Sequence, residues 1–148
     1  MVPAVSLGHS FPAGRRLRKR GEFLRVQQTG WRVSLPSFVL LVRARADGGA
    51  ARLGITVTRK FGGAVARNRA KRLVREAFRL SPELAPDGID LVVVPRAKAR
   101  LGDLATVLDE LRQAAPILHR RARELRAELA KLPNETQTAP STRERPGP

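Results

Sequence analysis

The sequence of 148 residues predicts a mixed α+β domain. Two observations carry that expectation. Apolar residues recur at helical spacing in several segments, and short runs rich in strand formers lie between them. A third observation sets the class of protein: 42% of the residues are hydrophobic, enough for a packed core, yet no apolar run reaches the length that crosses a membrane.

Residues 1–14 contain Pro and Gly and lack the apolar stretch of a signal peptide; they are expected to form a disordered leader in an intracellular protein. Glu22-Phe23-Leu24-Arg25-Val26-Gln27-Gln28 predicts a short helix closed by Gly30. Ser37-Phe38-Val39-Leu40-Leu41-Val42-Arg43 is an apolar, β-rich run, followed by the turn signal Asp47-Gly48-Gly49. From Arg52 to Thr58 apolar and polar residues alternate, with Leu53, Ile55 and Val57 on one face. Two such runs joined by a Gly-bearing loop predict an antiparallel hairpin. Gly62-Gly63 breaks the pattern before a helix in which Ala70, Leu73, Val74, Ala77 and Phe78 form one apolar stripe, with Asn68, Lys71, Arg72, Arg75 and Arg79 on the opposite side. Ser81-Pro82 ends it. Ile89-Asp90-Leu91-Val92-Val93-Val94 predicts a central strand stopped by Pro95. Asp103 is placed to cap a helix whose Leu104, Val107, Leu108 and Leu111 face inward. Pro116 is expected to kink or end that helix, and helical spacing resumes from Ile117 to Leu132 with a cationic, solvated face. The organisation expected is a leader at 1–14, a folded domain at 15–115, a charged helical extension at 116–132 and a disordered tail at 133–148.

The chain carries 29 Lys and Arg against 13 Asp and Glu, a formal charge of +16. The densest block, Arg59–Arg79, holds eight basic residues and one acid. Charge of one sign concentrated in a segment that must also fold implies a polyanionic partner. Cysteine is absent, so disulfides, thiol catalysis and Cys-based zinc sites are excluded, and His9 and His119 are too few for a histidine cage. Arg15–Arg20 has five basic residues in six, but no amphipathic segment with aromatic anchors accompanies it, which speaks against a membrane surface.

The sharpest feature is Arg67-Asn68-Arg69-Ala70-Lys71-Arg72-Leu73-Val74-Arg75-Glu76. The unpaired N–H groups at a helix start favour acids there, and a cation costs about 0.3–1 kcal/mol. Arg67 and Arg69 are expected in the first turn, with no acid before them. Such a reversal is explained by a bound anion: helix N–H groups, two guanidinium forks and the Asn68 amide make a seat for phosphates. The plainer alternative is an Arg-rich solvated face. The preceding Thr58-Arg59-Lys60-Phe61-Gly62-Gly63-Ala64-Val65 is Gly-bearing and cationic but lacks the Gly-Lys-Ser/Thr ending of a P-loop. No paired carboxylates stand near the basic helix, and Glu76 alone cannot support two-metal hydrolysis; it suits an ordinary pair with Arg72 or Arg79.

Residues from about Leu17 to Leu111 resemble the protein subunit of bacterial ribonuclease P, which removes 5′ leaders from precursor tRNA. The resemblance rests on Arg67-Asn68-Arg69 continued by Lys71, Arg72 and Arg75, on the preceding Arg52-to-Val65 segment, and on Leu17, Glu22-Phe23, Val26 and Gly30. It implies a two-layer α–β sandwich in the order α-β-β-β-α-β-α, with a left-handed β-α-β crossover, like the second domain of ribosomal protein S5. The additional strand would begin near Trp31-Arg32-Val33. It further implies that Arg59, Lys60, Arg67, Asn68, Arg69, Lys71, Arg72 and Arg75 hold the catalytic RNA subunit, and that Phe23, Gln27, Val39 and Leu41 line a cleft for the single-stranded leader of precursor tRNA. Hydrolysis would belong to Mg2+ bound chiefly by the RNA, with no catalytic residue in the protein, no protein partner required, and a cytoplasmic location.

This chain departs from the family pattern in that cleft. Gln27 stands where an aromatic often occurs, and Leu41 where Tyr is frequent. Phe23 is open to base stacking or to core packing, and Trp31 to replacing a missing aromatic or forming a lid over the first helix. The competing function is a structural RNA-binding protein of ribosomal type without a processing role.

Overall fold

The computed structural model describes residues 16–17, 19–46, 49–97 and 99–131; the expected leader and tail, Asp47 and Gly48 lie outside them. The elements are α1 (Arg20–Thr29), β1 (Trp31–Ser34), β2 (Phe38–Ala44), β3 (Arg52–Ile55), α2 (Ala64–Leu80), β4 (Ile89–Pro95) and α3 (Leu104–Ala130), with 3-10 turns at Arg59–Phe61 and Pro82–Leu84. The mixed α+β class is the one expected.

The four strands lie in the order β1-β2-β4-β3. The hairpin expected between β2 and β3 is not formed. β4 lies between them, antiparallel to β2 (Leu41 opposite Val92) and parallel to β3 (Leu53 opposite Leu91). The physical reason is burial. Ile89, Leu91, Val92 and Val93 are fully buried, so this run needs strand neighbours and covered faces on both sides, and it occupies the middle. The actual hairpin is β1 with β2, turning at Leu35–Ser37, where the Leu35 N–H donates to the Phe38 carbonyl at 2.8 Å.

Period-two alternation divides the sheet into two faces. Phe38, Leu40 and Val42 of β2, Leu53 of β3 and Leu91 and Val93 of β4 join Ala70, Val74, Ala77, Phe78, Val107 and Leu111 in the principal core under α2 and α3. On the other face Val92 packs with Leu17 and Val26, flanked by Phe23, Leu41 and Val94, beneath α1. Leu17 reaches that face because its N–H donates to the Leu53 carbonyl at 2.9 Å along the outer edge of β3.

α1 ends where expected, though not through a left-handed turn. Gly30 has φ −77°, and its N–H donates to the Val26 carbonyl at 2.7 Å. A Cβ there would stand 2.4 Å from that carbonyl oxygen, so close approach, and not torsion, requires glycine.

α3 runs unbroken through Pro116. Proline removes one intrahelical hydrogen bond, but Leu111, Ala114, Leu118 and Ala122 are all buried on one continuous stripe that crosses the proline position. Packing outweighs the local break. The second half of α3 is therefore part of the core, contrary to the solvated helix expected. The same stretch is tied down by His119, whose Nε2 lies 2.7 Å from the Glu83 carbonyl oxygen. No described helix is long and apolar enough to cross a membrane.

Candidate nucleic-acid interface

α2 begins at Ala64, after Gly63, which offers no side-chain cap; no acid stands in the first turn. The start lies earlier than the sequence suggested, because glycine and two alanines carry no capping signature. Arg67 is thus the fourth helical residue, and Arg69 falls in the second turn, not the first. Arg67 is half-buried and donates from Nη1 to the Gly62 carbonyl at 2.8 Å, helping close the turn into its own helix. Arg69 donates to the Gly102 carbonyl and ties α2 to the loop before α3. The expected seat of two free guanidinium forks on open helix N–H groups is corrected accordingly: both forks have a protein partner, with N–H groups to spare for an incoming anion.

The rest of the cationic row is open. Asn68 and Arg72 are exposed, Lys71 and Arg75 half-exposed, and Arg59 and Lys60 project from the 3-10 turn just ahead of the helix. Arg79 pairs with Glu76, donating to it from both Nε (3.1 Å) and Nη2, so Arg79 and not Arg72 is its partner. That hydrogen bond holds the Glu76 carboxyl below its usual range. Arg16, which the sequence did not single out as a site residue, joins this surface. It bridges to Leu53 at the β3 edge, and its Nε is buried without a hydrogen bond. Burial, followed by the charge of Arg16, pulls the Arg75 guanidinium below its ordinary range. Like charges near each other favour a bound anion. The signal available in the sequence was only the Arg15–Arg20 run; its meeting with α2 depends on the third dimension.

On the opposite face the four expected cleft residues share one surface. Phe23 is half-buried with its ring over β3: a Cβ on Gly54 would stand 2.5 Å from ring atom Cε1. Gln27 lies one turn on along the same flank of α1 and is exposed, while Val39 (buried) and Leu41 (half-buried) lie on the adjacent β2. The floor is therefore apolar and the rim polar. Both readings of Trp31 fall. It pairs in register with Val42, whose side chain is in the principal core, so it belongs to the α3 face and not to the cleft. There the Arg121 guanidinium lies 4.4 Å from its ring centroid. Phe38, Phe78 and Leu111 are core residues, as expected.

Among the described residues no group of three His, Asp or Glu could hold a metal ion. The family model for Ribonuclease P matches residues 11–132. The ribonuclease P protein component of Gluconacetobacter diazotrophicus is 43% identical over 99 residues, 66% of this chain and 85% of the relative. That of Desulfovibrio desulfuricans is 44% identical over 118 residues, 77% of this chain and 88% of the relative. The solved RNase P protein of Thermotoga maritima superposes with a TM-score of 0.59 at 38% identity, covering 68% of this chain and 94% of that one. The RNase P protein of Staphylococcus aureus gives 0.62 at 29% identity, covering 70% and 94%.

Proposed function

Because the chain belongs to the ribonuclease P protein family, it is a protein component of the ribonucleoprotein that matures tRNA 5′ ends, and we propose that it acts as a binding subunit on two faces. The cations of α2 and the turn before it, namely Arg59, Lys60, Lys71, Arg72 and Arg75, with the Asn68 amide and with Arg67 and Arg69 near the helix start, grip the catalytic RNA. The apolar cleft of Phe23, Gln27, Val39 and Leu41 receives the single-stranded leader of precursor tRNA. The observation that carries this reading is the separation of the surfaces: a phosphate-grade cationic row on one side of the sheet and a stacking-grade apolar floor on the other. In this reading the parallel connection from β3 through α2 to β4 is the left-handed crossover of the second domain of ribosomal protein S5.

The chemistry of cutting belongs to the RNA in this proposal, together with the Mg2+ that serves it. The protein supplies binding and orientation. Such a role suits the cytoplasm and calls for no further protein partner.

The test is reconstitution. At low magnesium, adding the protein to the RNA subunit and precursor tRNA increases 5′ cleavage, while the protein alone cleaves nothing. No gain would leave only a structural RNA-binding role. Binding to the RNA subunit weakens about 10³-fold between roughly 50 and 200 mM salt if about six phosphates are neutralised; a flat response would remove the phosphate contacts from the proposal.

A further inference from the structure

A second concentration of cations lies away from the α2 row, across α1 from the leader cleft, at the end of the sheet where β3 and β4 begin. Arg43 on β2 stands opposite Asp90 on β4, and Arg52 of β3 stands beside Asp90 from the other side. All three side chains emerge on the α1 face, alternating with the core residues Val42, Leu91 and Leu53. Asp90 is 2% exposed, and its carboxylate is already engaged. Arg52 donates to it from Nε and Nη2, both at 2.9 Å, and Arg45 from Nη1 at 3.2 Å. Glu22 of α1 accepts from Arg52 Nη1 at 3.1 Å and from the Lys19 N–H at 3.2 Å.

Arg43 is the cation left over. It is half-buried, and no described acceptor takes a hydrogen bond from it. Its nitrogens are not among the buried polar atoms that lack a partner, so they remain accessible from outside. Arg25 of α1 faces it: burial first, and then the charge of Arg25, pulls the Arg43 guanidinium below its ordinary range, while Asp90 acts the other way. Four arginines (25, 43, 45 and 52) thus share two carboxylates (22 and 90), and the two acids are satisfied by Arg45 and Arg52.

This cluster adjoins the leader cleft on β2, where Arg43 lies two residues beyond Leu41 on the same face, but it sits on the other flank of α1. Glu22 meets Arg52, whereas Phe23 lies over Gly54, two residues further along β3. The two flanks of α1 therefore face opposite ends of the sheet. At about 100° per residue, Arg25 is on the Glu22 flank and Gln27 on the Phe23 flank. The turn at Arg59–Phe61 follows the far end of β3.

We propose that Arg43 and Arg25 form a second phosphate site, behind α1 and at the opposite end of the sheet from the Arg59–Phe61 turn, and that it takes a phosphodiester of bound RNA. A phosphate there supplies the acceptors that Arg43 lacks and neutralises a like-charged pair in a partly desolvated position. The source of the phosphate follows from the RNA-binding reading above, on which this inference rests.

The test uses the full chain with three variants, Arg43→Leu, Arg25→Ala, and Arg67→Ala with Arg69→Ala. Arg25 is exposed, so its variant keeps the measurement valid should Arg43→Leu fold poorly. Two readouts are taken: the affinity for the ribonuclease P RNA subunit as a function of salt, and the rise in melting temperature produced by inorganic phosphate over chloride at equal ionic strength. The expected result is a loss of about tenfold in RNA affinity for Arg43→Leu, somewhat less for Arg25→Ala, with a salt slope shallower by about one phosphate contact. Loss of the phosphate-induced stabilisation with RNA affinity intact would overturn the RNA assignment and leave a small-anion site. Wild-type behaviour of both single variants in both readouts would overturn the site itself. If these variants lose affinity while the α2 double variant does not, the α2 reading fails and this site stands; the reverse pattern removes this site alone.

Discussion

Helices α2 and α3 pack against each other on the same face of the sheet, yet they begin in opposite ways. α3 opens on Asp103, whose carboxylate accepts from the Thr106 N–H at 3.0 Å and from the Thr106 hydroxyl at 2.8 Å. It then buries Val107, Leu111, Ala114, Leu118 and Ala122 in one stripe. α2 opens on Gly63 with no side-chain cap, and its first charged residues are cations. Its inner stripe (Ala70, Val74, Ala77, Phe78) is as well buried as that of α3. Both helices carry cations outward, so the difference lies in their starts. α3 is capped by its own sequence, whereas α2 is anchored by its inner face, and in the proposal above its outer face is the one that meets RNA.

The comparison can be broken first at the core. Leu118→Ala removes a fully buried side chain from the half of α3 beyond Pro116 and should cost about 2–5 kcal/mol. Chemical denaturation measures this. A loss below about 1 kcal/mol would mean that the second half of α3 is peripheral after all. The next effect is on binding. Arg67→Ala with Arg69→Ala should weaken affinity for the RNA subunit by roughly 10- to 100-fold at fixed salt, since hydrogen bonds to charged groups contribute about 1.5–3 kcal/mol. The fold should persist, as circular dichroism will report; an unchanged dissociation constant would show that the start of α2 is not a contact.

A smaller effect sharpens the contrast with the other face of the sheet. Gly54→Ala forces the Phe23 ring off β3, at about 1–3 kcal/mol of stability, and should weaken precursor tRNA with a leader more than mature tRNA. Equal losses for both would separate Phe23 from leader binding. The smallest effect is a pH dependence at the α3 cap. Hydrogen bonds from Thr106, the backbone N–H first, hold the Asp103 carboxyl below its ordinary range. A carboxyl whose folded value is depressed stabilises above its unfolded value, and the contribution disappears as the pH falls through the folded value. Asp103→Asn keeps the capping oxygen and should therefore flatten the acid side of the melting curve. Stability profiles that coincide down to acid pH would exclude this contribution.

Much of the fold was legible because the burial pattern is written in residue types. Ile89–Val94 is nearly all apolar, which marks a strand covered on both sides, and the spacing of Ala70 to Phe78 marks the α2 stripe. β1 was not legible unaided: in Trp31-Arg32-Val33-Ser34 only Val33 is buried, so no alternation stands out. The pairing of β3 is not legible in the sequence, because a hairpin is the local solution while the actual neighbour arrives more than 30 residues later. At Pro116 a local rule competed with an inward-facing stripe, and the stripe prevailed. At the site, residue types announced cations but not their partners. That Arg67 folds back onto Gly62, that Arg16 meets Arg75, and that Asp90 leaves Arg43 over are all consequences of register.

The place of β4 in the sheet sets an order of events during synthesis. A nascent chain that has reached Gly88 has made three of the four strands but not the one that joins them. Until Ile89–Pro95 leaves the ribosome, the β1–β2 ribbon and β3 present open backbone edges to whatever is nearby. Assembly therefore waits for a late segment and closes contacts that are distant in sequence, so this small domain is expected to fold slowly for its size.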